Sequence, residues 1–454
     1  WKLNLISMKK VIVLFLFMST FSYAQYAIKG TMSPVENSSW VLLYKIEGTK
    51  QLFVKNTQVR KEGNIGFFEF SLPTDAKVGS YRIKYSMKRD GFIDFLFNKE
   101  NIAIEFNPND LVSTLVFQTS KENQLYNSFI KKTYTAQYTL DSLQSEYFRN
   151  PSLEIKKAYA RSLEKVQEIE KEYLNSSKGK LVNHFIKASL RYNSSEIFDR
   201  PIDYIDSSIT HFFDHIDFSN KTLYNSTFLF DKTSEYVLYL NVAADPVQKQ
   251  EYYKKASKIA IEKTTTISFK TDIINYLISQ FAEIKNAVLV DHLFTNYFDK
   301  LPKENQNIKL KNKILAQLRI AIGRVAPDFS WTENGKELRL SSLKDGLSYV
   351  LIFYSTECSH CLREVPEIFD YMKGKTNTKV IAFAMETSAK TWTNYQLKMP
   401  GWHHVLGLGK WENTTARTYQ INSTPTYFVL GMDKEIISIP KTLDDLKMVL
   451  KELN

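Results

Sequence analysis

The stretch FYSTECSHCLREVP, residues 353–366, contains both cysteines of a 454-residue chain. Cys358 and Cys361 are three positions apart, and His360 lies between them. A disulfide that closes so short a loop hardly constrains the unfolded chain, so it adds little to stability. The pair is therefore expected to be a redox site or part of a metal site.

The pair falls between a predicted strand and a predicted helix. The run VLIFYS, residues 350–355, is continuously apolar, as in a central buried strand, and a helix to about residue 373 follows. Unpaired N–H groups and a partial positive charge at a helix N-terminus lower the pKa of a thiol there. This position predicts Cys358 as the nucleophile and Cys361, one turn further on, as the shielded resolving thiol.

Two ionisable residues close to the pair are expected to tune it. A protonated or hydrogen-bond-donating imidazole at His360 would favour the Cys358 thiolate and make the disulfide more oxidising. The carboxylate of Glu357, next to Cys358, would act in the opposite direction. His360 is therefore a candidate catalytic residue together with the two cysteines.

The alternative of a metal site has little support. Cys358, His360 and Cys361 are three potential zinc ligands, but structural zinc usually takes two pairs from separate segments, and the chain has no second cysteine pair. HFFDH, residues 211–215, has two histidines at helical spacing, which more often fill surface or core positions. Haem attachment would need a histidine directly after the second cysteine, but Leu362 stands there. We expect no metal and no cofactor.

Residues 8–24 have the pattern of a secretory signal peptide. The segment MKKVIVLFLFMSTFSYA has two lysines, an apolar run and a small residue at its end. The alternative is an uncleaved anchor helix, but the run is shorter than the roughly 20 residues that a membrane span needs. The sequence therefore predicts export to the periplasm or cell envelope, where disulfide chemistry is possible. With the segment cleaved, the chain is not expected to be an integral membrane protein.

The remaining chain is predicted to form three regions. Residues 25–115 contain short alternating runs separated by turn signals, which predict a small antiparallel β domain. Residues 116–319 have helical periodicity, which predicts an all-α middle region. Residues 322–454 alternate apolar strands with amphipathic helices in the order βαβα…ββα, which predicts an α/β domain. The expected fold class is therefore multidomain. In the first two regions, the clearest predicted strands lie near residues 40–46, 67–72, 81–87, 92–97 and 102–106. The clearest predicted helices lie near residues 153–174, 248–263, 273–287 and 310–322.

The charge of the chain excludes one class of partner. The formal net charge is +11, but the basic residues are spread along the chain without a stripe or cluster. Nucleic-acid binding needs a concentrated basic surface that follows the phosphates. We therefore expect no nucleic-acid partner.

Three motifs in the last region resemble a known family. VAPDFSW (residues 325–331), LIFYSTECSHCLREVPEI (351–368) and YQINSTPTYFVL (419–430) look like the TlpA/ResA-like thiol–disulfide oxidoreductases of the thioredoxin superfamily. The resemblance covers residues 322–454 and implies a sheet flanked by helices, with the disulfide at its edge. It implies that Pro425 is cis and packs against the cysteines, and that the Thr424 backbone pairs with an incoming peptide. Glu364 matches an acidic residue that the resemblance implies in proton transfer at Cys361.

The chain also departs from this family at two positions. The family usually has Trp before the first cysteine and often Pro before the second, where this chain has Glu357 and His360. A histidine at the second position resembles the oxidising DsbA-like sites, so the direction of electron transfer stays open. The first hundred residues resemble the small β domain that often precedes such domains in Gram-negative envelope proteins.

These patterns support two functions. The first is an exported thiol–disulfide oxidoreductase that exchanges disulfides with protein thiols or disulfides in the envelope through its CxxC site. The alternative is an envelope binding or scaffold protein for a polypeptide or glycan, with an auxiliary thioredoxin-like domain. The intact motif favours the first, whereas the long preceding region keeps the second open.

Overall fold

The computed structural model describes residues 25–36, 39–88, 90–241 and 243–453. The predicted signal peptide, residues 8–24, lies outside the described residues. The chain divides into two compact units, one up to residue 273 and one from residue 274 onwards. The boundaries of the three regions predicted from the sequence, 25–115, 116–319 and 322–454, stay predictions. Within the described ranges, no helix has both the length and the apolar character needed to cross a membrane.

The first unit begins with two sheets that bury a shared apolar core. Their strands are β1 Gln25–Met32, β2 Trp40–Glu47, β3 Lys50–Gln58, β4 Arg60–Glu62, β5 Ile65–Pro73, β6 Gly79–Ser86, β7 Gly91–Phe97, β8 Ile102–Phe106 and β9 Val116–Phe117. One sheet has the order β4-β5-β1-β8-β9 and the other β3-β2-β6-β7. Strand β1 pairs with β8 in parallel, whereas the other ladders are antiparallel. Alternate residues of each strand point inward, and Ile28, Phe70 and Ile83 are fully buried there.

Helices follow the sheets along the chain. They are α1 Leu111–Thr114, α2 Lys121–Arg149, α3 Leu153–Ser176, α4 Val182–Ala188, α5 Pro201–His211, α6 Lys221–Tyr224, α7 Phe228–Ser234, a π-helix Glu235–Leu240, α8 Pro246–Glu262 and α9 Ile267–Glu283. The two long helices α2 and α3 pack through Leu140 and Val166, each 1% exposed. Ser152 caps α3, because its side chain accepts a hydrogen bond from the N–H of Ile155.

One buried carboxylate joins the β sheets to the helices. Glu122, at the start of α2, accepts hydrogen bonds from the side chain of Asn98 at 2.7 Å and from the N–H groups of Leu181 and Val182 at 3.1 and 2.7 Å. A buried carboxylate is tolerated when its oxygens are hydrogen-bonded in this way. Glu122 therefore fixes the start of α4 against α2.

The second unit is built on one central five-stranded sheet. The elements of this unit are α10 Ala287–Asn296, α11 Ile308–Gln317, β10 Ser330–Glu333, β11 Lys336–Arg339, β12 Ser348–Tyr354, α12 Ser359–Met372, β13 Thr378–Glu386, α13 Lys390–Gln396, β14 His403–Leu408, α14 Thr414–Thr418, β15 Thr426–Gly431, β16 Ile436–Ser438 and α15 Leu443–Leu453. The central sheet has the order β14-β13-β12-β15-β16. Strands β12, β13 and β14 run parallel, and β15 and β16 are antiparallel to their neighbours. Short 3-10 turns lie at Phe298–Lys300, Lys303–Asn305, Leu340–Ser342 and Lys410–Glu412.

Both faces of this sheet are covered. All seven residues of β12 are buried, and successive residues point to opposite faces. Val350 and Ile352 pack with α12, α13 and α15, whereas Leu351 and Phe353 pack with α14 and the β10–β11 hairpin. This is a thioredoxin-like α/β arrangement. It confirms the predicted layout of an N-terminal β domain, a helical middle region and a C-terminal α/β domain.

Candidate redox site

The two cysteines lie at the junction of β12 and α12. Cys358 is the N-cap residue of α12, and its sulfur accepts a hydrogen bond from the N–H of Cys361 at 3.4 Å. Both cysteines are free thiols; Cys358 is partly exposed, whereas Cys361 is 0% exposed. Only Cys358 can therefore meet a partner's sulfur directly.

The pKa values of the two thiols move in opposite directions. Burial alone would raise the pKa of Cys358, but hydrogen bonds outweigh it and the pKa lies below the ordinary value. They come from the side chains of Cys361 and Thr424 and the backbone N–H groups of Cys361 and His360. Burial, followed by the hydrogen bond to Cys358, raises the pKa of the Cys361 thiol to about 12. This difference supports Cys358 as the nucleophile and Cys361 as the resolving thiol.

The segment around Pro425 lies against the pair. The Thr424–Pro425 peptide bond is cis, as the resemblance implies. The Cys358 thiol donates a hydrogen bond to the Thr424 carbonyl oxygen at 3.3 Å. The two candidate substrate-binding residues are thus brought to the nucleophile from the start of β15.

Glu357 does not act as an isolated negative charge. Its carboxylate accepts hydrogen bonds from Lys410 and from Thr387, and the Lys410 ammonium, through its hydrogen bond and then its charge, lowers the pKa of that carboxyl. The cation offsets the repulsion that we expected Glu357 to exert on the thiolate. Cys358 also opens onto a cavity of about 190 Å³, lined by Met385, Lys410 and the half-exposed Trp411.

The His360 side chain is turned towards Arg363. The Nδ1 atom of His360 lies 2.9 Å from a guanidinium nitrogen of Arg363, and a guanidinium can only donate. In this contact Nδ1 is therefore placed as the acceptor. The hydrogen bond from His360 that lowers the pKa of Cys358 comes from its backbone N–H. Tuning of Cys358 by a protonated or hydrogen-bond-donating imidazole stays a prediction.

This geometry predicts different effects on the reduction potential for two substitutions of His360. His360→Pro removes the backbone N–H and should raise the pKa of Cys358 and make the couple more reducing. The expected change is some tens of millivolts, since about 30 mV corresponds to roughly 1.4 kcal/mol for two electrons. His360→Ala keeps the N–H and should leave the potential nearly unchanged. Equilibration of each variant against glutathione at fixed pH measures both, and an equal shift in the two variants would instead assign the effect to the imidazole.

The candidate proton-transfer residue Glu364 is held by a tyrosine. Tyr427 on β15 donates its O–H to Glu364 Oε2 at 2.6 Å. Tyr427 is 1% exposed and packs in the same core as Cys361. Burial, and then the bond to Glu364, raises its pKa far above the ordinary phenol value. Sequence reasoning missed Tyr427 because it lies in an apolar strand pattern.

A second acidic residue that sequence reasoning missed supports the loop before Cys358. Glu386, at the end of β13, is 0% exposed and accepts a hydrogen bond from the N–H of Thr356 at 2.6 Å. Its other oxygen has no hydrogen-bond partner among the described residues, nor do the hydroxyls of Tyr354 and Tyr395. Burial, and then the charge on Cys361, raises the pKa of Tyr395 to about 12. Nothing in the local pattern of β13 distinguishes Glu386 from an ordinary strand-terminal residue.

His211, one of the two histidines of the HFFDH segment, lies in the first unit and contacts Asp214 at 2.6 Å. Across the described ranges, no group of three or more His, Cys, Asp or Glu side chains is placed to hold a metal ion.

The C-terminal unit is thus a thioredoxin-like domain with a Cys-x-x-Cys pair at the start of a helix. Residues 322–439 match the family model described as the AhpC/TSA family. A search of the curated proteins finds no match.

Similar solved structures carry related descriptions. A domain of a "possible thiol-disulfide isomerase" from Cytophaga hutchinsonii is 25% identical, covers 29% of this chain and 92% of its own, and has a TM-score of 0.26. A thiol-disulfide oxidoreductase from Bacteroides fragilis is 23% identical and covers 29% of this chain and 100% of its own, with a TM-score of 0.26. A thioredoxin-like protein from Bacteroides caccae is 14% identical and covers 58% of this chain and 98% of its own, with a TM-score of 0.34.

Proposed function

We propose that this chain is an exported thiol–disulfide oxidoreductase that exchanges disulfides with proteins of the cell envelope. The observation that carries the proposal is the asymmetry of the pair: Cys358 is accessible with a lowered pKa, and Cys361 is buried with a raised one. A structural pair needs no such difference, whereas a redox pair needs one thiol that attacks and one that resolves. The predicted signal peptide supports the location.

The chemistry proceeds in two exchanges. The Cys358 thiolate attacks one sulfur of a partner disulfide, which forms a mixed disulfide and releases the partner's other sulfur as a thiolate. Cys361 then loses its proton and attacks the sulfur of Cys358. The mixed disulfide breaks, Cys358–Cys361 forms, and the second partner thiolate leaves. Two electrons pass to the partner, and the reverse sequence oxidises a partner dithiol.

Two residues next to the pair are assigned roles in this exchange. The Thr424 carbonyl, which accepts from Cys358 in the free protein, becomes available to a partner's backbone once Cys358 is a thiolate. Glu364 accepts the proton that Cys361 must lose, with its orientation fixed by Tyr427.

The reduction potential of the pair tests the proposal. The purified chain, equilibrated with reduced and oxidised glutathione at fixed pH, should show one two-electron transition, monitored by alkylation and mass. The same protein should catalyse reduction of insulin or oxidation of a reduced model protein, and the measured potential determines which. A pair that exchanges with neither substrate would leave the binding or scaffold function as the better explanation.

A further inference from the structure

The helical part of the first unit contains a partly open cavity of about 530 Å³, lined by residues of α2, α3, α5 and α7. This volume is within the range of small-molecule sites. Its lining includes the aromatic rings of Phe129, Tyr134, Tyr192, Tyr204 and Phe212. Most of the lining is therefore apolar and rich in ring faces, and the cavity belongs to a part of the chain that the redox chemistry does not use.

The cationic groups that line the cavity already have partners. Arg191 contacts Asp141 at 2.7 Å, and His211 contacts Asp214 at 2.6 Å. Lys232 and Glu235 pair with each other at 2.6 Å. Arg191 and Lys232 therefore add no unpaired positive charge to the lining.

Glu170 is different from these groups. It lies on α3, half-buried in the lining of the cavity, and within the described residues it makes no hydrogen bond or ion pair. A carboxylate in such a position loses part of its hydration, and no hydrogen bond or cation offsets the free-energy cost. The cavity thus combines one uncompensated negative charge with several aromatic faces, and both features attract a cation.

We propose that this cavity binds an organic cation with an apolar body, an alkylammonium or aryl-alkylammonium ion, with Glu170 as its counter-ion. The ammonium group would pair with the carboxylate, and the apolar body would pack against the aromatic rings. The same chemistry is offered by a free amine and by a lysine side chain between apolar residues of a polypeptide. The proposal does not depend on the activity of the cysteine pair.

Isothermal titration calorimetry with the full chain tests the chemistry without any variant. At pH 8, 2-phenylethylammonium should bind at least about ten times more tightly than 2-phenylethanol, which has the same shape without the charge. A tripeptide with lysine between two phenylalanines serves as the second arm. Binding of the tripeptide but not the amine assigns the cation to a polypeptide. Absence of binding by both, or equal binding of amine and alcohol, overturns the proposal.

A charge-neutral variant assigns the site. Glu170→Gln should weaken amine binding at least about ten-fold, whereas Glu168→Gln, an exposed position on the same helix, should leave it unchanged. Far-UV circular dichroism and thermal unfolding of the full chain confirm that both variants keep the fold of the first unit. Equal affinity in wild type and Glu170→Gln would exclude Glu170 as the counter-ion and overturn the assignment.

The dependence on pH gives an independent readout. Burial raises the pKa of Glu170 to about 7, so the carboxylate is the minor form at pH 6 and the major form at pH 8. Affinity for the ammonium should therefore rise about ten-fold between these values, with proton release on binding at the lower pH. Imidazoles also change charge in this range, so the slope must disappear in Glu170→Gln. A slope that persists in this variant would overturn the assignment of Glu170 as the counter-ion.

Discussion

Iodoacetamide should modify Cys358 at least about 1,000 times faster than Cys361 in the reduced protein at pH 7. The reagent reacts with thiolates. A pKa of about 12 for Cys361, against one below the ordinary 9.0 for Cys358, leaves at least about 1,000 times less thiolate on Cys361. The burial of Cys361 lowers its rate further. Quenching at timed intervals, followed by fragmentation of the peptide that holds both cysteines, measures the two rates.

The single-cysteine variants provide the control for this experiment. Cys361→Ser should react at close to the wild-type rate, because the serine hydroxyl can donate in place of the Cys361 thiol and the backbone N–H groups that stabilise the Cys358 thiolate are retained. Cys358→Ser should react very slowly while the protein is folded. On unfolding, the remaining thiol of Cys361 becomes accessible and its pKa returns to the ordinary value. Comparable rates for the two folded variants would remove the assignment of nucleophile and resolving thiol.

Cys361→Ser should accumulate mixed disulfides with partner proteins, and Cys358→Ser should not. The first variant keeps the nucleophile but lacks the thiol that breaks the mixed disulfide, so the intermediate persists. The second keeps only a buried thiol that a partner cannot reach. Both should lose catalytic turnover almost completely. Non-reducing electrophoresis of an envelope extract treated with each variant, compared with the same sample after reduction, measures the trapped species.

The matched control is the double variant, which should trap nothing. Bands that appear equally with Cys358→Ser would mean that Cys361 is accessible in solution, contrary to its 0% exposure. If Cys361→Ser traps no protein and also forms no adduct with a model disulfide, the pair is not an exchange site.

Strands with both faces buried could be predicted from the local sequence. An exposed strand, and the pairing of strands that are distant in sequence, could not. Strand β12 is a continuous apolar run, and its burial on both faces follows from that pattern. Strand β3 was missed because nearly all of its residues are exposed, so its conformation depends on pairing with β2. The parallel pairing of β1 with β8 has no local signal, because strands distant in sequence determine it.

The candidate site was likewise predictable only where its residues are close together in the sequence. Cys358, His360, Cys361 and Glu364 lie within one stretch of seven residues, so their spacing alone predicted a site. Tyr427 reaches Glu364 from 63 positions further along the chain, and only the folded sheet brings them together. The direction of the His360 ring also depends on a side-chain contact with Arg363 that spacing cannot specify.

The burial of Cys361 one helical turn from Cys358 also predicts how the protein should respond to peroxide. Peroxide attacks accessible thiolates, so oxidation to a sulfenic acid should begin at Cys358. Because Cys361 is one helical turn away, it can condense with that sulfenic acid, release water and leave an ordinary disulfide that thiols can reduce. Irreversible oxidation to the sulfinic and sulfonic acids is thereby limited, and any that occurs falls on the nucleophile. The buried thiol thus protects its neighbour from permanent damage.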